Sequence, residues 1–397
     1  MKLTHKSIIV FSIGTLFLGA CGSDDVNNTI KPVVKVSVSA IALNYAAIVS
    51  ANYTEALKDA KALQVTLKTF VETPTKENFD ASKKAWLESR ESYGTTEAFR
   101  FANGPIDRDD NGVEGPEGLL NSWPLDENFI DYAAGTSTSG IINDAVTYPA
   151  ITKEVLEGKN GDGGESNVSV GYHAIEFLLW GQDNTAPSEK KAGLRSYTDF
   201  VDGSKTATNQ DRRRTYLTVC AELLIENLTF LVTEWTPGTN YNKEFLALED
   251  DTILINLLKS IAELSKSELA GERMATALKN QDQEDEHSCF SDNTHRDIRL
   301  NFEGIKNVYF GAYKNIKGVS LSDLISSKDA SIAKKVTDAF TLAETTVKAT
   351  AIPFDFAIVA GANSDEGAKV NTAINALRSL GDALVEAGDK LGLKINI

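Results

Sequence analysis

The chain has 397 residues, 42% of them hydrophobic, with 40 Lys and Arg against 56 Asp and Glu, for a formal net charge of −16 at pH 7. That acidic balance argues against nucleic acid as a partner, because phosphate binding needs a basic surface. It suits a field that attracts cations.

Lys2 and Lys6 precede an apolar stretch, Ile8 to Leu18, which leads into Leu18-Gly19-Ala20-Cys21. A basic start, a short apolar core and small residues before a cut describe a secretory signal. The stretch is too short to prefer a membrane span, and no later uninterrupted apolar run has spanning length. Leu-Gly-Ala-Cys resembles a bacterial lipobox, so residues 1–20 read as a lipoprotein signal peptide and Cys21 as the lipidated first residue of the mature chain. Such a lipid attaches a protein to a membrane without embedding it. The expected location is the cell envelope, on the outer membrane, facing periplasm or cell surface. All 56 acids remain after the cut against 38 bases, which makes the mature charge −18. Residues 21–39 read as a tether. Of the remaining cysteines, Cys220 and Cys289, an exported compartment permits pairing, and sequence leaves it open whether they meet.

From residue 40 the apolar period is mostly helical. Ile41 to Thr69 contains no Gly or Pro. Thr73 with Pro74 predicts the next helix start, since Thr can cap and Pro suits a first turn. That helix should run to about Phe101. Asn103 to Trp123 is rich in Gly, Pro and Asp and reads as a loop. Ile141 to Leu156 predicts a helix, and 158–167 a flexible loop. In Asp211 to Trp235, Leu217, Cys220, Leu224, Leu228, Leu231 and Trp235 recur at three and four, the mark of a core-facing helix. Further helices are predicted over Asp250 to Lys279, about Asn293 to Tyr313, Lys328 to Thr350 and Asp365 to Lys390. Strand-like alternation is scarce. The expected fold class is all-α, two helical bundles packed together, an N-terminal one over 40–240 and a C-terminal one over 241–397. Trp86-x3-Arg90-x2-Tyr93 has the shape of Phe302-x3-Lys306-x2-Tyr309, a hint of internal duplication.

The mature chain has three histidines, and they fall in two segments: GYHAIEFLLWGQD (171–183) and EDEHSCFSDNTHRD (284–297). On a helix His173 and Glu176, three apart, share a face. Glu176 is the one charge in the otherwise apolar run Ala174 to Trp180, and a buried Glu needs a partner. A cation bound by both side chains would supply it; so would a buried Arg, leaving His173 as a core histidine. Trp86, Arg90, Tyr93 and Glu97 fall on one helical stripe. Glu97 is a candidate third ligand, and Arg90 could pair with a carboxylate or hold an anion. The same stripe would also serve as a salt-bridged helix face. Asp292 and His295, again three apart, fit either a metal site or a solvated acidic loop. Asp107 to Gly112 copies the start of a calcium loop, but Gly118 stands where the closing Glu belongs, so it reads as an acidic turn. Gly271, beside Glu272 and Arg273 inside a predicted helix, suggests close packing there. The sequence contains no H-E-x-x-H, Gly-rich phosphate loop or C-x-x-C.

These segments together resemble the imelysin family. The likeness rests on the G-x-H-x-x-E pattern with F-L-L-W-G in GYHAIEFLLWGQD, on WLESRESYGTTEAFRF, on GPEGLLNSWPLDENFIDY, and on GERM followed by EHSCFSDNTH. The motifs span about residues 86 to 310 of a domain covering roughly 40 to 390, and the last pair is most similar to the family's iron-regulated lipoproteins. The resemblance implies an exported, all-helical protein with the H-x-x-E residues between two bundles. Some such proteins are iron-regulated or belong to iron uptake, and the family name comes from an insulin-cleaving membrane protease. Carried over, the metal site would use His173, Glu176 and Glu97, with Arg90 and Tyr93 as neighbours and Arg273, Asp292 and His295 further out. The implied cofactor is iron or zinc, and an iron-uptake protein is the implied partner. Two functions follow: a lipoprotein that binds a metal ion in iron acquisition, or a zinc-dependent peptidase. A peptidase would need a third ligand, His295 or Glu97, and a general base. A third reading has Arg90 and Arg273 holding a small anion or peptide end.

Overall fold

The computed structural model describes residues 36–108, 114–136 and 138–397. The signal peptide, Cys21, most of the tether, and Asp109 to Gly112 of the acidic turn lie outside the described residues. Helix α1, Val38–Glu72, begins where the Ser37 hydroxyl accepts from the Ala40 amide. Its inner face buries Ile41, Tyr45, Ile48, Tyr53, Leu63 and Phe70. Helix α2, Lys76–Gly94, is capped by Thr75, two residues later than expected, and passes into a 3-10 turn, Thr95–Phe99. Thr73 instead closes α1 as its C-cap, its amide donating to the Thr69 carbonyl. Helix α3 spans Gly171–Trp180 and α4 spans Gln210–Trp235. Both α2 and α4 pack on α1, and α3 packs on both of them. The stripe predicted for α4 is the buried one, and each of its leucines contributes about 1.5–3 kcal/mol of burial. By length and composition α4 would also pass for a membrane span; here its apolar face is core, against α1 and α3.

The predicted helix over Ile141 to Leu156 is a series of turns, with helix only at Lys153–Lys159. The turn backbone is satisfied elsewhere. Arg212 donates to the carbonyls of Ile141, Ile142 and Tyr148, while the Ile141 and Ile142 amides donate to Phe129 and Ile130. Thr152 caps the short helix that follows.

In the C-terminal half, α5, Asp250–Glu263, continues without a break into a π-helical segment, Leu264–Ala275, and a last α turn, Thr276–Asn280. Helix α6, Thr294–Phe310, stops at Gly311 in the left-handed conformation, short of the predicted Tyr313, and a two-residue antiparallel ladder follows. Helices α7, Ala330–Lys348, and α8, Asp365–Lys390, complete the second half, with α8 against α5, α7 and the π segment. Cys220 and Cys289 are both buried and unpaired with each other. The halves meet closely at Gly304 of α6: a Cβ there would stand 2.5 Å from the Thr95 carbonyl oxygen. That approach sets the 3-10 turn carrying Glu97 beside α6.

Candidate functional site

Helix α3 is buried along its whole length. Its first residue, Gly171, has φ +89°, and a Cβ there would lie 2.7 Å from the Leu120 carbonyl oxygen, so only glycine fits this start. One turn on, His173 Nδ1 lies 2.8 Å from Glu176 Oε2. The other Glu176 oxygen accepts from both the amide (3.0 Å) and the hydroxyl (2.6 Å) of Ser291. Burial pushes Glu176 up to about 8. Burial, then His287 and Arg90, holds His173 far below its ordinary value, so the ring is neutral. At about 8 the Glu176 carboxyl keeps its proton at pH 7; a cation drawn to the ring favours its loss, after which Nδ1–H donates to the carboxylate and Nε2 presents a lone pair. That Nε2 is buried and has no hydrogen-bond partner, which is costly for a polar atom unless something else uses it.

Packed edge to face on His173 is a second imidazole, His287, with ring centres 4.6 Å apart; Trp123 covers His173 at 5.2 Å. His287 repeats the first pairing. Its Nδ1 is 3.1 Å from Asp297 Oδ2. The same oxygen accepts from the Ser288 hydroxyl, and Oδ1 accepts from Arg90. Burial raises Asp297, but Arg90 and then His287 outweigh it and hold the carboxyl far below the usual range. Burial and then Arg273 bring His287 down to about 4 despite Asp297. Both rings are therefore neutral at pH 7, the form that binds metal.

Around this pair runs a chain of charges. Arg90 donates to Asn121 Oδ1 at 2.6 Å, and Asn121 Nδ2 donates to Glu97 at 3.2 Å. Arg273 donates to Glu97 and to Asn301, each at 2.6 Å. Burial raises Glu97, but Arg273 and Arg100 outweigh it and bring the carboxyl to about 2. Tyr93 is the platform for Arg90: the guanidinium lies 5.3 Å from its ring and 5.0 Å from that of Tyr172. Arg273 comes from the π segment, a distortion that recurs at functional sites. Gly271 of that segment is not there for close packing, since a Cβ would meet only ordinary contact, Lys266 O at 3.7 Å. A cleft of about 600 Å³, lined by Glu117, Trp123, Glu268, Glu272 and Arg273 among others, has His287 in its wall.

The structure thus brings together His173, Glu176, Arg90, Tyr93, Glu97 and Arg273. The side chains of Asp292 and His295 make no hydrogen bond to these residues. His295 Nδ1 donates to the Asp292 backbone carbonyl at 2.9 Å, and its charged neighbours are Arg299, Arg296 and then Asp297 of the centre. Asp292 faces Asp355 and Asp183, and burial with those charges pushes it up to about 7. Sequence reasoning missed His287, Asp297, Asn121 and Ser291. The His-rich segment was visible; which of its two histidines turns inward depends on the loop before α6. Arg90, read as a pairing or anion-holding residue, pairs with Asp297. Among the described residues no three His, Cys, Asp or Glu side chains stand together as a metal cage.

The molecule is a helical protein with its H-x-x-E pair at a buried, charge-linked centre. The sequence model of the imelysin family matches residues 49–384, and the chain belongs to it. Iron-regulated protein A of Synechococcus elongatus is 24% identical over 307 residues, covering 75% of this chain and 71% of the relative. Two solved structures share the fold. A putative iron-regulated protein A precursor from Parabacteroides distasonis gives TM-score 0.67 at 18% identity, covering 89% of this chain and 94% of that one. An imelysin-like protein from Psychrobacter arcticum gives 0.61 at 12%, covering 91% and 99%.

Proposed function

We propose that this protein captures a metal ion at His173, as an envelope lipoprotein in iron acquisition. The carrying observation is the buried Nε2 of His173, which has no partner while its Nδ1 is held by Glu176. A metal-binding histidine has this arrangement, with one nitrogen fixed by a carboxylate and the other free for the ion. The acidic cleft gives a cation a favourable approach. Kinship with an iron-regulated protein supports iron as the cargo. Lipid on Cys21 would hold the protein at the outer membrane, where an uptake partner could receive the ion.

The zinc-peptidase reading is weaker on the same geometry. Glu176, the nearest carboxylate, has both oxygens engaged and is not free to act as general base.

The test is anaerobic titration of chelator-stripped protein with Fe²⁺, Zn²⁺ and, in air, Fe³⁺. One equivalent should bind to the wild type and none to His173→Ala. Absence of binding by all three ions sinks the proposal. Cleavage of insulin by zinc-loaded wild type, lost in His173→Ala, would replace it with the peptidase.

A further inference from the structure

We infer that His287 is a second metal-binding imidazole, and that the ion is held as a borderline divalent transition metal between two neutral rings. This rests on the metal-capture reading of the His173 site and names the part of it that the H-x-x-E motif does not contain.

Three observations carry it. First, the two histidines are built alike. Each has Nδ1 on a buried carboxylate, His173 on Glu176 at 2.8 Å and His287 on Asp297 at 3.1 Å. Each carboxylate is in turn fixed by a serine of one loop, Ser291 for Glu176 and Ser288 for Asp297. Carboxylate, imidazole and supporting donor form the arrangement that orients metal-binding histidines, and here it occurs twice in contact.

Second, both Nε2 atoms have coordinating capacity to spare. That of His173 has no partner. That of His287 meets the Asn121 amide nitrogen at 3.4 Å, the outer edge of hydrogen bonding. Asn121 is anchored through its other contacts to Arg90 and Glu97, so an ion can displace this one cheaply.

Third, the spacing fits one ion. A metal–nitrogen bond of about 2.1 Å, with roughly 1.2 Å more to the ring centre, puts two coordinated ring centres about 4.7–5.4 Å apart for angles from right to tetrahedral. The observed separation is 4.6 Å, about 0.1 Å short of the right-angle limit, so the rings part slightly to take one ion.

The chemistry of the donors selects the ion. Neutral imidazole suits divalent iron, zinc, nickel and copper, whereas a hard trivalent ion prefers carboxylate and hydroxide oxygen. With no third side chain completing a cage among the described residues, further positions fall to water or to ligands the ion brings. Such an open set suits uptake and release of the ion. Asp297 is a positioning residue: it touches His287, not the ion.

The experiment loads stripped wild-type protein with one equivalent of Co²⁺ and counts exchangeable, hyperfine-shifted imidazole N–H protons by NMR. Two such signals are expected, one from each Nδ1–H. His287→Ala should show one, with a changed Co²⁺ visible spectrum and weaker Zn²⁺ binding. Asp297→Asn keeps the ring but loses its partner, so Zn²⁺ should bind about 10–100-fold more weakly, with the His287 N–H signal shifted or exchanged away. One signal in the wild type overturns the inference even if His287→Ala fails to fold. So does a folded His287→Ala with unchanged spectrum and affinity. Those results leave metal capture at His173 standing, whereas a wild type that takes up no metal removes both.

Discussion

Two of the buried charge clusters among the described residues are built to different ends. The first centres on Asp131. Its carboxylate accepts from Arg213 through both oxygens (2.7 and 2.8 Å), from Arg195 at 2.5 Å and from Asn143 at 3.0 Å. The second is the His173–His287 centre, where the carboxylates are held but the His173 Nε2 has no partner and the His287 Nε2 has a 3.4 Å contact to Asn121. A carboxylate with its acceptor sites filled has nothing further to bind. A ring nitrogen oriented by its neighbour and given no partner does. Burial and charge alone do not distinguish scaffold from site; unfilled coordinating capacity does.

The comparison breaks most readily at Asp131. Asp131→Asn takes the carboxylate shared by the buried Arg195 and Arg213 and leaves Asp199 as the remaining charge near Arg213, and the expected loss is about 3–5 kcal/mol of stability in urea unfolding. A loss under 1 kcal/mol would mean the cluster is no scaffold. Metal should act on the other cluster alone. At 100 times its dissociation constant, Zn²⁺ should raise wild-type stability by about 2.7 kcal/mol. The increment should survive in Asp131→Asn and vanish in His173→Ala. An increment missing from Asp131→Asn would tie the two clusters together and end the contrast.

Acid sharpens the same distinction. Burial raises Asp131, but Arg195 and Arg213 outweigh it and bring it from 3.8 to about 2. A depressed folded pKa favours the folded state wherever the unfolded carboxyl is ionised, so the contribution is complete above about pH 5 and lost as pH falls through about 2. The shift corresponds to about 2 kcal/mol. The stability gap between wild type and Asp131→Asn should therefore be flat from pH 7 to 5 and narrow by that amount towards pH 2. A gap unchanged at pH 2 would contradict the depressed value.

What the sequence disclosed of this comparison follows from how local each feature is. His173 and Glu176 share one helix, Arg90 and Tyr93 another, and Glu97 the 3-10 turn that continues it, so local spacing dictates the face, and all five are at the centre. The α4 stripe was legible for the same reason. Asp131 was not, because its partners Arg195 and Arg213 lie 64 and 82 residues away. His287 was passed over for His295 because a three-residue spacing from Asp292 looked like a helical pair, while the chain at Asp292 takes φ +57° and turns the two side chains to different surroundings. The turns over 141–152 replace a helix because Arg212, from α4, satisfies their carbonyls. The π register of Leu264–Ala275 has no counterpart in periodicity, and the structure offers no single residue as its cause.

The smallest expected effect tests whether cost follows unsatisfied polar groups or mere nearness to the centre. Gly271 lies two residues from Arg273, which donates to Glu97, yet an added methyl group there meets only Lys266 O at 3.7 Å. Gly271→Ala removes no hydrogen bond and fills no occupied space. Alanine is favoured over glycine in a helix by up to about 1 kcal/mol, partly by restricting the unfolded chain. The variant should match or slightly exceed wild-type stability and bind Zn²⁺ within about twofold of it, a difference under roughly 0.4 kcal/mol. A loss above 1 kcal/mol would show that glycine holds the π register, and that Arg273 reaches Glu97 only because the ladder is widened there.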